Sequence, residues 1–191
     1  MRKTLFFLAL LFCAVLWFRV DLYSMVRPTF LADGGADCFK ALTSQGITHT
    51  SLGDTSSGSC GIKNAVRITS FPSTQLSSPI TVSCPFALKL NGFLKEIEAR
   101  EITHMGSYNC REIRGSSLLS EHSYGTAIDI SHIDSASVLK DWRKPTNEGQ
   151  ILERANNAAC DWFNNVLTPD TNAAHKDHFH LDSGFGLGCW L

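Results

Sequence analysis

Six cysteines spread across the chain, Cys38, Cys60, Cys84, Cys110, Cys160 and Cys189, constrain its fold more than any other feature. Their number is even, and no two form the C-x-x-C pair of a zinc ribbon or a redox motif. Three disulfides in an oxidising compartment are the natural reading, and they make this an exported chain. Six cysteines allow about 15 connectivities, among which Cys38 to Cys60 is the expected local bridge. The seventh, Cys13, sits in an apolar run and is set apart from them.

That run extends from Leu5 to Phe18, between Met1-Arg2-Lys3 and Arg19. It falls short of the ~20 apolar residues of a full membrane span, but Val20 and Leu22 lengthen it if Arg19 snorkels toward the headgroups. No A-x-A pattern between residues 15 and 27 invites cleavage, and Phe12 is too large for lipoprotein processing at Cys13. Residues 1–22 therefore read as an uncleaved signal anchor with Arg2 and Lys3 inside, a cleaved signal peptide being the alternative. Residues 23–37, with Pro28 and Asp33-Gly34-Gly35, read as a linker, and residues 38–191 as one domain.

A composition of 43% hydrophobic and 18% charged residues over 191 positions suits a single globular core with appendages. The formal charge of -1 offers no basic field for nucleic acid, so no nucleic-acid partner is expected. Specificity has to come from a site.

Gly53 to Gly61 is dense in Gly, Ser and Thr and reads as a loop, followed by short strands at 65–68 and 80–82. Ser83 is placed as an N-cap with Pro85 in the first turn of a helix whose apolar positions are Phe86, Leu90, Phe93, Leu94 and Ile97. Strands are expected at 102–108 and 127–130, the second with Asp129 on the face opposite Ile128 and Ile130. A longer helix begins just after Gly149, its stripe running from Ile151 through Leu152, Ala155, Ala159, Trp162 and Phe163 to Val166 and ending before Pro169. His178 to Asp182 then alternates as a strand with His178 and His180 on one face. Short strands and separate helices without regular βαβ alternation give an α+β fold, a small antiparallel sheet with flanking helices.

Within this frame Ser120 to Asp129 offers an imidazole, His122, and a carboxylate seven residues later, Asp129, with Gly125 between them to turn the chain. Near the C-terminus His175, Asp177, His178 and His180 crowd into six positions. Two nitrogens and one carboxylate oxygen from separate elements make a sound ligand set for Zn²⁺ that leaves a fourth position for water. Calcium and magnesium prefer all-oxygen shells, so the imidazoles argue against them.

The S-x-H-x-x-G-x-A-x-D element of Ser120, His122, Gly125, Ala127 and Asp129, with a late histidine strand, resembles that of the zinc D-alanyl-D-alanine carboxypeptidases and murein endopeptidases, whose fold is shared with the hedgehog domain. More closely, residues from about Cys38 to Cys189 resemble the extensin-like C-terminal domain family of exported bacterial proteins, through Cys110-Arg111, Ser120-Glu121-His122, Ala127-Ile128-Asp129-Ile130 and Asp177-His178-Phe179-His180. The resemblance implies a zinc ion held by His122, Asp129 and His180. It also implies Arg111 as partner of the substrate carbonyl and Asp177 or His178 as the base, with Asp177 favoured. The expected function is zinc-dependent hydrolysis of an amide bond in peptidoglycan peptides, by a monomer held at the periplasmic face of the inner membrane through residues 4–22. The rival is a non-catalytic cell-wall or polysaccharide-binding protein with the same metal in a structural role, since folds outlive their activities.

Blander roles fit several residues. His49, His104 and His132 have no companions at ligand spacing and read as packed or solvent-facing. Arg111 has Glu112 and Glu121 as simple ion-pair partners, Asp182 is either an imidazole orienter or a strand-end cap, and Trp142 and Trp190 read as packing residues.

Overall fold

In the computed structural model the described residues are 35–186; the expected anchor, Cys13, Cys189 and Trp190 lie outside them. Among the described residues no helix is long and apolar enough to cross a membrane.

The first described element is α1 (Gly35–Ser44). Its Cys38 and Leu42 lie four apart on one buried face. Two strands follow, β1 (Thr48–Ser57) and β2 (Cys60–Ser70), and they form an antiparallel hairpin through the segment expected to be a loop. Composition misled there because β1 lies mostly exposed, so its polar Thr and Ser residues cost no burial. Gly58, at φ +59, makes the two-residue turn, and Ser57 pairs with Cys60 across it.

After β3 (Gln75–Leu76), β4 (Ile80–Ser83) adds to β2 and completes a three-stranded sheet in the order β1-β2-β4. The helix α2 (Cys84–Glu96) starts as expected, with Ser83 Oγ accepting the Phe86 N–H and proline in the first turn. Then come β5 (Glu101–Gly106), β6 (Ala127–Ile133), β7 (Ala136–Ser137), α3 (Val138–Asp141), α4 (Asn147–Trp162), β8 (Asn165–Leu167) and β9 (Phe179–Asp182). The second sheet has the order β3-β5-β6-β9-β8, with β7 on β6; only β3 and β5 run parallel. Helices beside small, largely antiparallel sheets match the expected α+β class.

The strand expected at 102–108 ends at Gly106, beyond which Ser107 turns its hydroxyl to the backbone of Thr81. The late helix ends at Trp162, four residues before Val166, which belongs to β8. Helix and strand bury the two ends of that apolar stripe by different periods, which a single helical pattern conceals.

The register of the second sheet sorts its side chains. Ile128 pairs with Leu181 and Ile130 with Phe179, and all four are fully buried. They face the core that contains Phe86 and Phe93 of α2, Leu152 and Ala155 of α4, and Phe163. Burying each large side chain of this kind contributes about 1.5–3 kcal/mol. Alternation places Asp129, which pairs with His180, on the other face.

Two disulfides join described cysteines, Cys38–Cys84 and Cys60–Cys110, and Cys160 is disulfide-bonded as well. The expected Cys38–Cys60 bridge is not formed. Cys38 on α1 meets the start of α2, and Cys60 at the hairpin tip reaches Cys110, because sheet pairing brings these segments together across 46 and 50 residues.

Candidate metal centre

Asp129 and His180 are directly cross-strand partners on β6 and β9, so the pleat sets their side chains side by side. On the opposite side of Asp129 in the same row is Gly106 of β5, where a Cβ would meet only open space. His122 arrives from a separate element, the short 3-10 helix Glu121–Tyr124, capped by Ser120 and closed by Gly125 at φ +64. That left-handed glycine lets six residues carry the chain from His122 to Asp129. A Cβ there would also press on Ile62 at 2.7 Å.

Backbone bonds secure the histidine turn. Asn109 N–H donates to the His122 carbonyl, Ser120 N–H to the Arg111 carbonyl, and Arg111 N–H to Ser123 Oγ. Through these the segment 107–111, itself tied to β2 by Cys60–Cys110, fixes the position of His122.

His122, Asp129 and His180 each offer one ligand atom, all within 4.8 Å of one another. The His122 Nε2 lies 3.1 Å from His180 Nδ1 and 3.2 Å from Asp129 Oδ2, while His180 Nδ1 lies 2.9 Å from Asp129 Oδ1. The outward nitrogens of both rings are engaged elsewhere. His122 Nδ1–H donates to the Ser107 carbonyl at 2.5 Å, and His180 Nε2–H donates to Asp182 Oδ2 at 2.9 Å. Asp182 thus holds the imidazole through Oδ2 and caps the strand end through Oδ1, which accepts the Gly184 N–H and the Asn165 amide.

With the outer nitrogens donating, the neutral rings aim bare lone pairs at each other beside a carboxylate. Three acceptors in van der Waals contact repel unless a cation lies between them. A proton serves that purpose when no metal does. Burial alone would depress the His180 pKa, but its hydrogen bonds with Asp129 and Asp182 outweigh it and raise it to about 9. Burial would raise that of Asp129, yet the bonds from His122 and His180 hold it far below the usual carboxylate range. The donor set, two imidazole nitrogens and one carboxylate oxygen with their outer hydrogens anchored, fits a zinc ion.

The remaining expected site residues fall into two groups. His178 and Asp177 come to the cluster: His178 Nδ1–H donates to Asp177 Oδ1 at 2.8 Å, and its Nε2 lies 3.7 Å from Asp129 Oδ1. Arg111 is held beside the cluster by its backbone alone. Its side chain is exposed and donates from Nη1 to the Glu112 carbonyl. His49, His104 and His132 bond to Ile47, Ser78 and Ser131, away from the cluster.

Trp142 packs as expected, its ring edge meeting Phe179 and its Nε1–H donating to Asp170. His175, grouped in the sequence with Asp177, His178 and His180 but given no role, also lies beside the cluster. Its ring centre lies 5.2 Å from that of His178 and 5.9 Å from that of His180. Burial and then the neighbouring His180 and His178 push its pKa down to about 4. Asn172, three residues earlier, caps the short 3-10 helix Ala173–His175 and accepts the His175 Nδ1–H.

The family model for the extensin-like protein C-terminus matches residues 36–189. The chain belongs to this family. No curated protein and no solved structure matches the extensin-like chain significantly.

Proposed function

We propose that this extensin-like domain is an exported zinc-dependent hydrolase that cleaves an amide bond in peptidoglycan peptides, with the fold of the hedgehog and D-Ala-D-Ala peptidases. The observation that carries the reading is the meeting of His122 Nε2, His180 Nδ1 and the Asp129 carboxylate with both outer ring hydrogens already donated. Among the described residues the convergent set is His122, Asp129 and His180. Three protein ligands leave a fourth position, as catalytic zinc sites do; closure of the shell by His178 would instead favour the binding-protein reading.

When bound, zinc supplies a water with a pKa near about 7 and a Lewis acid for the carbonyl. His122, Asp129 and His180 would hold the ion, with Ser107 and Asp182 fixing the two rings. His178 Nε2, 3.7 Å from Asp129 Oδ1, would take the proton of the attacking water, with Asp177 holding the ring by its Nδ1–H. On this reading Asp177 would position the ring, its own carboxylate being the alternative base. The same Nε2 then returns the proton to the leaving amine. Arg111 serves the carbonyl oxygen only if its exposed side chain swings inward on substrate binding. The domain would work as a monomer at the periplasmic face of the inner membrane, held by residues 4–22.

The test is incubation of the full chain with purified peptidoglycan, with and without a chelator, followed by mass analysis of the soluble products. New muropeptides that vanish with the chelator and with His122→Ala are expected. Identical digests from wild type and His122→Ala would end the hydrolase reading.

A further inference from the structure

The turn between α3 and α4 has no part in the hydrolase reading, yet with the start of α4 it lines a cavity of about 370 Å³. Trp142, Arg143, Lys144, Gly149, Gln150 and Glu153 surround it. The volume falls within the ~300–1,000 Å³ of small-ligand sites. The turn lies tightly on the helix because position 149 is glycine; a Cβ there would collide with the Lys144 carbonyl.

Arg143 is the preorganised part of the wall. Its backbone stands in the left-handed region at φ +59, a conformation that an arginine keeps only where its surroundings hold it. Its Nε–H donates to Asp170 Oδ2 at 3.0 Å, and its guanidinium carbon lies 4.8 Å from the centre of the Trp142 ring. The other Asp170 oxygen accepts the Trp142 Nε1–H at 2.9 Å, so one carboxylate pins both side chains. Fixed in this way, Arg143 keeps its two Nη nitrogens without a partner among the described residues. They form a planar fork that matches a carboxylate or a phosphate.

The rest of the lining narrows the choice. Lys144 adds a second cation, and the positive end of α4, capped by Thr146, lies at the same turn. Gln150 and Glu153 are three apart and neighbours on α4. Among the described residues, neither their side chains nor the Lys144 ammonium has a hydrogen-bond partner. Two cations and one carboxylate suit a ligand that is negative at one end and offers a donor at the other. A phosphate, more highly charged and without a donor, would leave Glu153 opposed.

We propose that this cavity is an exosite for a peptide of the cell-wall polymer that ends in a free carboxylate, forked on the two Nη nitrogens of Arg143 with Lys144 beside it. An amino or amide hydrogen of the same peptide meets Glu153. The identity of the polymer rests on the proposed function. Trp142 packs on Phe179, the residue between His178 and His180, so the exosite lies beside the strand that carries them. A peptide gripped there keeps the polymer on the protein while a neighbouring peptide is cut.

The experiment is cosedimentation of the full chain with purified peptidoglycan, with a chelator present to keep the metal centre empty. A second sample of peptidoglycan has its carboxylates converted to amides. Wild type is expected to bind the untreated polymer about tenfold or more tightly than the amidated one. Arg143→Gln should bind both polymers at the weaker level. Lys144→Gln, which leaves the Arg143–Asp170 pair intact, should fall part of the way. Equal binding of both polymers by wild type, or wild-type binding by both variants, overturns the exosite. Muropeptide release without chelator is read separately, so its absence alongside carboxylate-dependent binding would sink the hydrolase reading and leave the exosite standing.

Discussion

The Asp177 carboxylate accepts the Nδ1–H of His178 at 2.8 Å, and the ring's other nitrogen is thereby presented 3.7 Å from Asp129. A carboxylate behind an imidazole orients it and stabilises the imidazolium that forms when Nε2 takes a proton. His178→Ala should therefore lower the rate of muropeptide release by about 10²- to 10⁴-fold. Asp177→Asn should lower it less and shift the lower limb of the pH–rate profile, because the ring survives while its partner's charge is gone. An Asp177→Asn loss as deep as that of His178→Ala, with no change of profile, would make Asp177 itself the base.

Metal uptake should release a proton. The metal-free site keeps His180 protonated up to about pH 9, because its bonds to Asp129 and Asp182 outweigh burial. A folded pKa above the ordinary value of 6.5 means that the protonated ring stabilises the metal-free fold fully below pH 6.5 and that this stability is lost between 6.5 and about 9. Zinc needs the same nitrogen bare, so its affinity should rise roughly tenfold per pH unit across that window. Calorimetry in two buffers of different ionisation enthalpy measures the released proton; heats independent of buffer would contradict it. In thermal melts, the metal-free chain should lose stability as pH rises from 6.5 to 9 while the zinc-loaded chain should not.

Asp182 touches no ligand atom of the candidate metal centre, yet its Oδ2 fixes which nitrogen of His180 carries hydrogen. Asp182→Ala frees the ring and should weaken zinc binding by about 10- to 100-fold. Asp182→Asn still offers an oxygen acceptor and should retain most of the affinity. Competition with a chromogenic chelator reads both, and equal losses in the two variants would point to folding instead of orientation.

These predictions draw on residues of unequal visibility in the sequence. Asp129 and His180 were legible because strand alternation puts both on the face away from Ile128, Ile130, Phe179 and Leu181. His122 was legible through its spacing to Asp129 around Gly125. What Ser107 contributes is a backbone carbonyl, which no side-chain pattern reveals. The β1–β2 hairpin was hidden by polar composition, since an exposed strand needs no apolar alternation. The disulfide pairing depends on which strands meet, and with Cys38–Cys84 and Cys60–Cys110 that is a property of the sheets and helices, not of cysteine spacing.

The two bridges should be separable in their effect on the metal centre. Each closes a loop of about 50 residues, and removing either should cost roughly 2–4 kcal/mol of stability. Cys38–Cys84 joins α1 to α2 on the core side, far along the chain from every ligand. Cys110, in contrast, anchors the segment in which the Ser107 carbonyl and Asn109 N–H hold His122. Cys60→Ser with Cys110→Ser should therefore weaken zinc binding by about tenfold or more through a mobile His122. Cys38→Ser with Cys84→Ser should lower the melting temperature by a similar amount with the affinity nearly unchanged. Metal affinity measured well below both melting temperatures decides the matter, and equal affinities in the two double variants would mean that the sheet alone, without the Cys60–Cys110 tether, positions the histidine.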